Sequence, residues 1–190
     1  MLGLLSNTSQ AWVDAVLGDF DAFLTDHAAN ERKASAMALQ FVVRYPDRHH
    51  ILEPLIGVAR EELAHFHQVF KLMQARGLQF RRDEKDPYVN GLMRHINGDR
   101  ERGFMDRLIM AGVIEARGCE RFATLASALT EPSLRAFYEE ISESESRHAN
   151  LFNDLAKAYF PDDVVDQRHG FWLERDAEVI ASIPPRSALH

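Results

Sequence analysis

A single cysteine, Cys119, stands in a chain of 190 residues. One thiol excludes a disulfide framework, a rubredoxin-type cluster and a zinc ribbon, each of which needs several. A reducing compartment is the natural setting, and Cys119 is expected as a small core residue. Long apolar runs are also lacking. No stretch approaches the ~18 uncharged apolar residues of a membrane span, and the start Met1-Leu2-Gly3-Leu4-Leu5-Ser6 has neither the basic region nor the apolar length of a signal peptide. A cytoplasmic protein without a membrane partner is expected. Basic charge is short as well: 22 Lys and Arg against 29 Asp and Glu leave a net charge of −7, which argues against generic adhesion to nucleic acid. Proline is sparse, with 7 residues that punctuate the chain rather than fill it. What lies between them is 46% apolar and 27% charged, ordinary for a soluble globular domain, and residues 1–190 are read as one domain with a sizeable core.

Between these breaks the apolar residues recur every three or four positions, the helical period. A short leading helix is expected over Ser9–Leu17, a first long helix from Asp19 to about Arg44 before Pro46, and a second from about Asp47 or Glu53 to Arg76. That helix has Pro54 in its first turns and Gly77 as a C′ residue. A third runs from about Phe104 to Leu129. A fourth begins after Thr130-Glu131-Pro132, with Thr130 as cap and Pro132 in the first turn, and reaches Phe160-Pro161. A last helix covers about Asp163–Ile183 and carries Phe171, Trp172 and Ile180. The connection Gly77–Gly103 is long, with a short helix after Pro87. The expected fold is all-α: a ferritin-like four-helix bundle with one long crossover and flanking N- and C-terminal helices.

Acidic residues interrupt the apolar seams of all four long helices. The second seam reads Leu55, Val58, Glu62, His65, Val69, Leu72; the fourth reads Leu134, Tyr138, Ile141, Glu145, His148, Phe152, Leu155. Glu-x-x-His puts both side chains on one face, able to grip one ion. The first seam, Phe20, Leu24, His27, Glu31, Ala34, Ala38, Phe41, and the third, Leu108, Ala111, Glu115, Gly118, Phe122, Leu125, each carry one inward Glu. Buried carboxylates are costly unless paired or bound to metal. Glu31 and Glu62 stand 15 and 16 residues from Pro46, and Glu115 and Glu145 each stand 15 from Thr130. Equal arms of an antiparallel pair bring both ligands to one height, ~22 Å from the turn. The offset repeats, 84 residues from Glu31 to Glu115 and 83 from Glu62 to Glu145. One Glu from each of two helices and Glu-x-x-His from each of two others is the dimetal carboxylate constellation of ferritin-like bundles.

Glu31, Glu62, His65, Glu115, Glu145 and His148 are therefore the expected metal ligands, with no further catalytic residue. Four carboxylates balance two divalent ions, and oxygen-rich donors with two imidazoles suit iron or manganese. Two ferrous ions can together supply two electrons to dioxygen for attack on an inert C–H bond. His27, one turn before Glu31, is read as a satisfied core histidine ahead of a partner to that ligand. Glu61 and His67 lie off the seam, and Tyr138 is read as a core tyrosine.

The segments His27-Ala28-Ala29-Asn30-Glu31-Arg32-Lys33-Ala34, Arg60-Glu61-Glu62-Leu63-Ala64-His65-Phe66, Glu115-Ala116-Arg117-Gly118-Cys119-Glu120-Arg121-Phe122 and Glu143-Ser144-Glu145-Ser146-Arg147-His148 resemble those of the bacterial tRNA 2-methylthio-isopentenyladenosine hydroxylases. The resemblance spans most of the chain and fills all six ligand positions. It implies a non-haem diiron monooxygenase that hydroxylates the isopentenyl group of a modified adenosine beside the anticodon. Such an enzyme uses two iron ions, dioxygen and two electrons from a separate reductase or ferredoxin, and acts as a monomer or small homo-oligomer.

For the tRNA partner the sequence offers little. No RNA-binding motif and no aromatic–basic platform are legible. The crossover is the most basic stretch, with eight Lys or Arg against six Asp or Glu between Arg76 and Arg107, and Arg81, Arg82, Lys85 and Arg94 are its candidate RNA contacts. A solvated crossover is the plainer reading. The alternatives are a ferritin-type ferroxidase or storage protein, which would assemble a large cage, or a peroxide-detoxifying diiron protein. A non-catalytic helical module would leave six inward ionisable residues unexplained.

Overall fold

A computed structural model describes residues 3–80, 82–83 and 85–190. Among them the chain forms seven helices and no strand: α1 Gln10–Gly18, α2 Phe20–Arg44, α3 His49–Ala75, α4 Pro87–Met93, α5 Arg100–Ala128, α6 Pro132–Lys157 and α7 Asp162–Ser182. The all-α expectation is met, with the long helices within a few residues of their expected bounds.

The differences lie at the ends. Helix α3 starts at His49, between the two expected starts at Asp47 and Glu53, and contains Pro54; a proline this near the N-terminus removes one hydrogen bond and the helix continues through it. Helix α5 begins four residues ahead of Phe104, because the Asp99 carboxylate accepts from the Glu101 and Arg102 N–H groups and closes the exposed first turn. Thr130 is not the cap of α6: Glu131 takes that place without a side-chain cap bond, and Pro132 opens the first turn as expected. Cys119 is half-buried rather than fully enclosed.

The chain divides into two compact units. The first, between Asp14 and Glu84 with Arg186–Leu189, contains α2 and α3. These run antiparallel: Asp21 near the start of α2 pairs with Arg76 just past the end of α3, 2.6 Å apart, and midway the Ser35 hydroxyl donates to the Ala59 carbonyl at 2.7 Å. The tail folds back, with the Leu189 N–H donating to Asp26 at 2.8 Å.

The second unit, Lys85–Pro185 with the residues before Asp14 and His190, contains α4 to α7. Helices α5 and α6 are antiparallel and very close at Gly112, where a Cβ would lie 3.0 Å from the Ala149 carbonyl oxygen; only the missing side chain allows that approach. Helix α7 is fastened by buried charge. Asp176 accepts from Arg117 at 2.5 and 3.1 Å and from the Tyr88 hydroxyl at 2.8 Å, and all three residues are fully enclosed. About three turns before Arg117 on α5, Asp106 accepts from Arg168, the Trp172 indole and the Asn97 N–H.

Candidate metal centre

Each unit carries one Glu, Glu, His cluster, and each is built by the same device. In the α2–α3 unit, Glu31 sits midway along α2 and Glu62 and His65 midway along α3. Both glutamates are buried, and 12% of the His65 side chain is exposed. His65 Nδ1 lies 3.6 Å from a carboxylate oxygen of each glutamate, and one donor atom from each residue falls within 4.8 Å of the others. The Ser35–Ala59 bond one turn beyond Glu31 locks the register of the pair.

In the α5–α6 unit, Glu115 faces Glu145 and His148, all buried. His148 Nδ1 is 3.6 Å from Glu145, and the three donor atoms again lie within 4.8 Å. The cluster is bracketed along the helix pair. One turn before Glu115 is the close approach of Gly112 to Ala149; one turn after it the Ser142 hydroxyl donates to the Cys119 carbonyl at 3.0 Å. Tyr138 is fully buried and stacks on Phe122 at 5.7 Å, a core residue as expected.

The donors are carboxylate oxygen and imidazole nitrogen, without a thiolate, and each trio can converge on one point. That chemistry fits a hard or borderline divalent ion such as iron or manganese. Charge is already unbalanced in favour of a cation. Burial alone would raise the Glu31 carboxyl, but hydrogen bonding and charge from His27, then from His65, hold it well below the usual carboxylate range. Burial alone would lower His65, but the carboxylates of Glu31 and Glu62 push it up to about 10.

His27 corrects the sequence reading. Its Nε2 lies 2.6 Å from Glu31 Oε1, fully buried; an ionised carboxylate can only accept, so the imidazole N–H donates and fixes the rotamer of Glu31. The i,i+4 spacing was visible, and only packing decided between a core histidine and a partner to Glu31. Glu61 and His67 are exposed, consistent with their off-seam positions. Of the candidate RNA contacts, Arg82, Lys85 and Arg94 are exposed, and Arg81 lies outside the described residues. The structure also gathers Phe66, Phe70 and Phe80 into one cluster, which sequence reasoning did not find. Its available signals were the Phe66/Phe70 spacing and Gly77 as a chain reversal.

Comparison with known proteins adds independent findings. Residues 2–190 match the family described as MiaE, tRNA-(MS[2]IO[6]A)-hydroxylase. A tRNA 2-(methylsulfanyl)-N(6)-isopentenyladenosine(37) hydroxylase of Pseudomonas putida is 37% identical over 152 residues, 80% of this chain and 74% of that protein. The protein of the same name from Salmonella typhimurium is 33% identical over 132 residues, 70% of this chain but 48% of its own length. Among solved structures, a Synechococcus protein with aldehyde deformylating oxygenase activity superposes with a TM-score of 0.93 at 33% identity, covering 98% of this chain and 94% of that one. The ferritin-like fold class stands with that likeness.

Proposed function

Because this chain belongs to the tRNA-(MS[2]IO[6]A)-hydroxylase family, we propose that it hydroxylates the isopentenyl side chain of 2-methylthio-isopentenyladenosine in tRNA, the nucleoside named for its curated relatives. The observation that carries the reading is the pair of buried Glu, Glu, His clusters, one in each helix pair of a chain from that family. In this reading Glu31, Glu62 and His65 would hold one iron, and Glu115, Glu145 and His148 would hold the second. A dinuclear iron centre supplies two electrons to dioxygen, and so the means to oxidise an unactivated C–H bond.

The remaining work belongs to the chain. His27 holds Glu31 in one rotamer by its 2.6 Å hydrogen bond, so the carboxylate would be presented to a metal in a fixed direction. The Gly112–Ala149 approach and the Ser142–Cys119 bond keep Glu115 and Glu145 at one height. On the seams, Leu55, Val58 and Val69 flank Glu62, and Tyr138, Ile141 and Phe152 flank the Glu145–His148 pair, all buried. Such apolar walls exclude water and strengthen every interaction inside.

Oxygenase activity in the Synechococcus structure of similar fold supports oxygen chemistry on this scaffold. A separate reductase or ferredoxin would supply the two electrons, since the single cysteine leaves no iron–sulfur relay in the chain. We place the enzyme in the cytoplasm as a monomer or small oligomer; among the described residues no helix is long and apolar enough to cross a membrane. The ferritin-type storage reading is not favoured, because both curated relatives are hydroxylases by name. Nucleoside mass spectrometry tests the proposal: isopentenylated tRNA incubated with iron-loaded protein, dioxygen and an electron source should yield a modified adenosine one oxygen heavier. No such product, with iron loading and electron delivery verified, refutes it.

A further inference from the structure

The turn after α3 carries a cluster for which neither metal binding nor the helix seams account. Phe66 and Phe70, one turn apart, have ring centroids 5.9 Å apart. Gly77, at φ +70, reverses the chain with the Leu78 N–H donating to the Met73 carbonyl, so Phe80 returns to 5.8 Å from both rings and within 6° of parallel to Phe70. Arg32 of α2 lies 5.4 Å from the Phe80 centroid, and its Nη2 donates to both Asp83 oxygens at 2.7 Å. All three rings are only half-buried. The stretch from Phe66 to Asp83 holds four Lys or Arg and one acid, in a chain of net charge −7.

Position makes the cluster more than a surface patch. Arg32 follows Glu31 and Phe66 follows His65 in the chain, so the cluster stands at the height of the α2–α3 metal site and about 100° around each helix from it. We propose that Phe66, Phe70, Phe80 and Arg32 form a stacking platform for an unpaired RNA base that flanks the modified adenosine. The inference rests on the hydroxylase reading and deepens it by naming where the loop is held. Single-stranded RNA is recognised by stacking unpaired bases on aromatic rings and guanidinium planes within a basic surround; rings and a guanidinium meet here, on a stretch of sequence rich in Lys and Arg. The reacting side chain must reach the ligands themselves; a platform one residue further round each helix suits its neighbour. Stacking of this kind tolerates any base, so it positions the loop without reading its sequence.

The test uses iron-loaded full-length protein and a stem-loop RNA carrying the modified adenosine, with 2-aminopurine placed in turn at each flanking base. Binding is read by fluorescence anisotropy at fixed salt and stacking by quenching of 2-aminopurine. Wild type should quench at one flanking position. Phe80→Leu, which keeps an apolar side chain but removes the ring, should lose the quench and weaken binding about 10-fold, the scale of one base–aromatic stack, and Phe80→Tyr should retain both. All three should load the same iron and remain fully folded at the assay temperature. Unchanged affinity and quench in both Phe80→Leu and Phe70→Leu overturn the platform. Unchanged RNA binding with slowed reductase-driven turnover would assign the rings to a protein partner and equally overturn it. Wild type that binds and quenches but never hydroxylates would instead sink the proposed function while the platform stands.

Discussion

Replacing Asp176 with Ala should be among the most destabilising single changes in this protein, although Asp176 is not among the candidate metal ligands. Its carboxylate is fully buried and accepts two bonds from Arg117 and one from Tyr88. Breaking a buried ion pair from one side costs about 3–5 kcal/mol, because a charge is left in the interior. Here the lower end applies, since Arg117 keeps Glu120 at 3.0 Å and the Ser6 carbonyl at 2.9 Å. The Tyr88 hydroxyl loses its acceptor, and an unsatisfied buried donor adds about 1–3 kcal/mol. The total is about 4–6 kcal/mol, a drop in Tm of about 8–24 °C for a domain of this size. Differential scanning calorimetry with urea titration reads it. The companion is Arg117→Met with Asp176→Leu, which removes both charges together and should recover the charge part of the loss, about 3 kcal/mol, while the Tyr88 hydroxyl stays without its acceptor. A single variant within about 1 kcal/mol of wild type, or a double variant no better than the single, would refute the view that this pair fastens α7.

Two further outcomes concern the metal clusters. Glu115→Ala or His148→Ala should reduce iron, measured by plasma mass spectrometry, from two ions per chain to at most one and abolish turnover; full loading with retained turnover would remove these residues from the ligand set. In the metal-free protein His65 is raised from its usual 6.5 to about 10. A raised folded value favours the folded state fully below pH 6.5, and that contribution is lost as pH climbs through 10. The Tm of the metal-free chain should therefore fall across this window, while the metal-loaded protein, whose imidazole has already given up its proton, should fall less. Parallel curves for the two forms would refute the argument.

That these six candidate ligands fall into two clusters is legible because they obey a local rule: a seam of period 3.6 and equal arms about a turn can be counted along the chain. The cap at Asp99 obeys a local rule too, but its carboxylate interrupts no apolar seam, and the seam of α5 becomes legible only at Phe104. The Arg117–Asp176 pair follows no period. Its partners are 59 residues apart, and in α7 the aromatic Phe171 and Trp172 marked the packing face while a buried Asp looked like one of many surface acids. Phe80 is a similar case, since nothing in Leu78-Gln79-Phe80 says that a reversal at Gly77 returns the ring to α3. For His27 the position is legible and the role is not, because sequence spacing cannot tell a hydrogen bond from a van der Waals neighbour.

The antiparallel register described above also sets where this chain can change length. Ser35 meets Ala59 while Gly112 meets Ala149 and Cys119 meets Ser142, so position numbers across each helix pair run as a vernier, one rising as the other falls. An insertion inside either arm would carry its candidate ligand ~1.5 Å along the axis and ~100° away from its partners. An insertion between Gly77 and Asp99 moves no candidate ligand against its own helix partner, and lengthening a loop costs little. Length variation within the family should accordingly gather in that connection, leaving the spans from Glu31 to His65 and from Glu115 to His148 as a pair of fixed rulers.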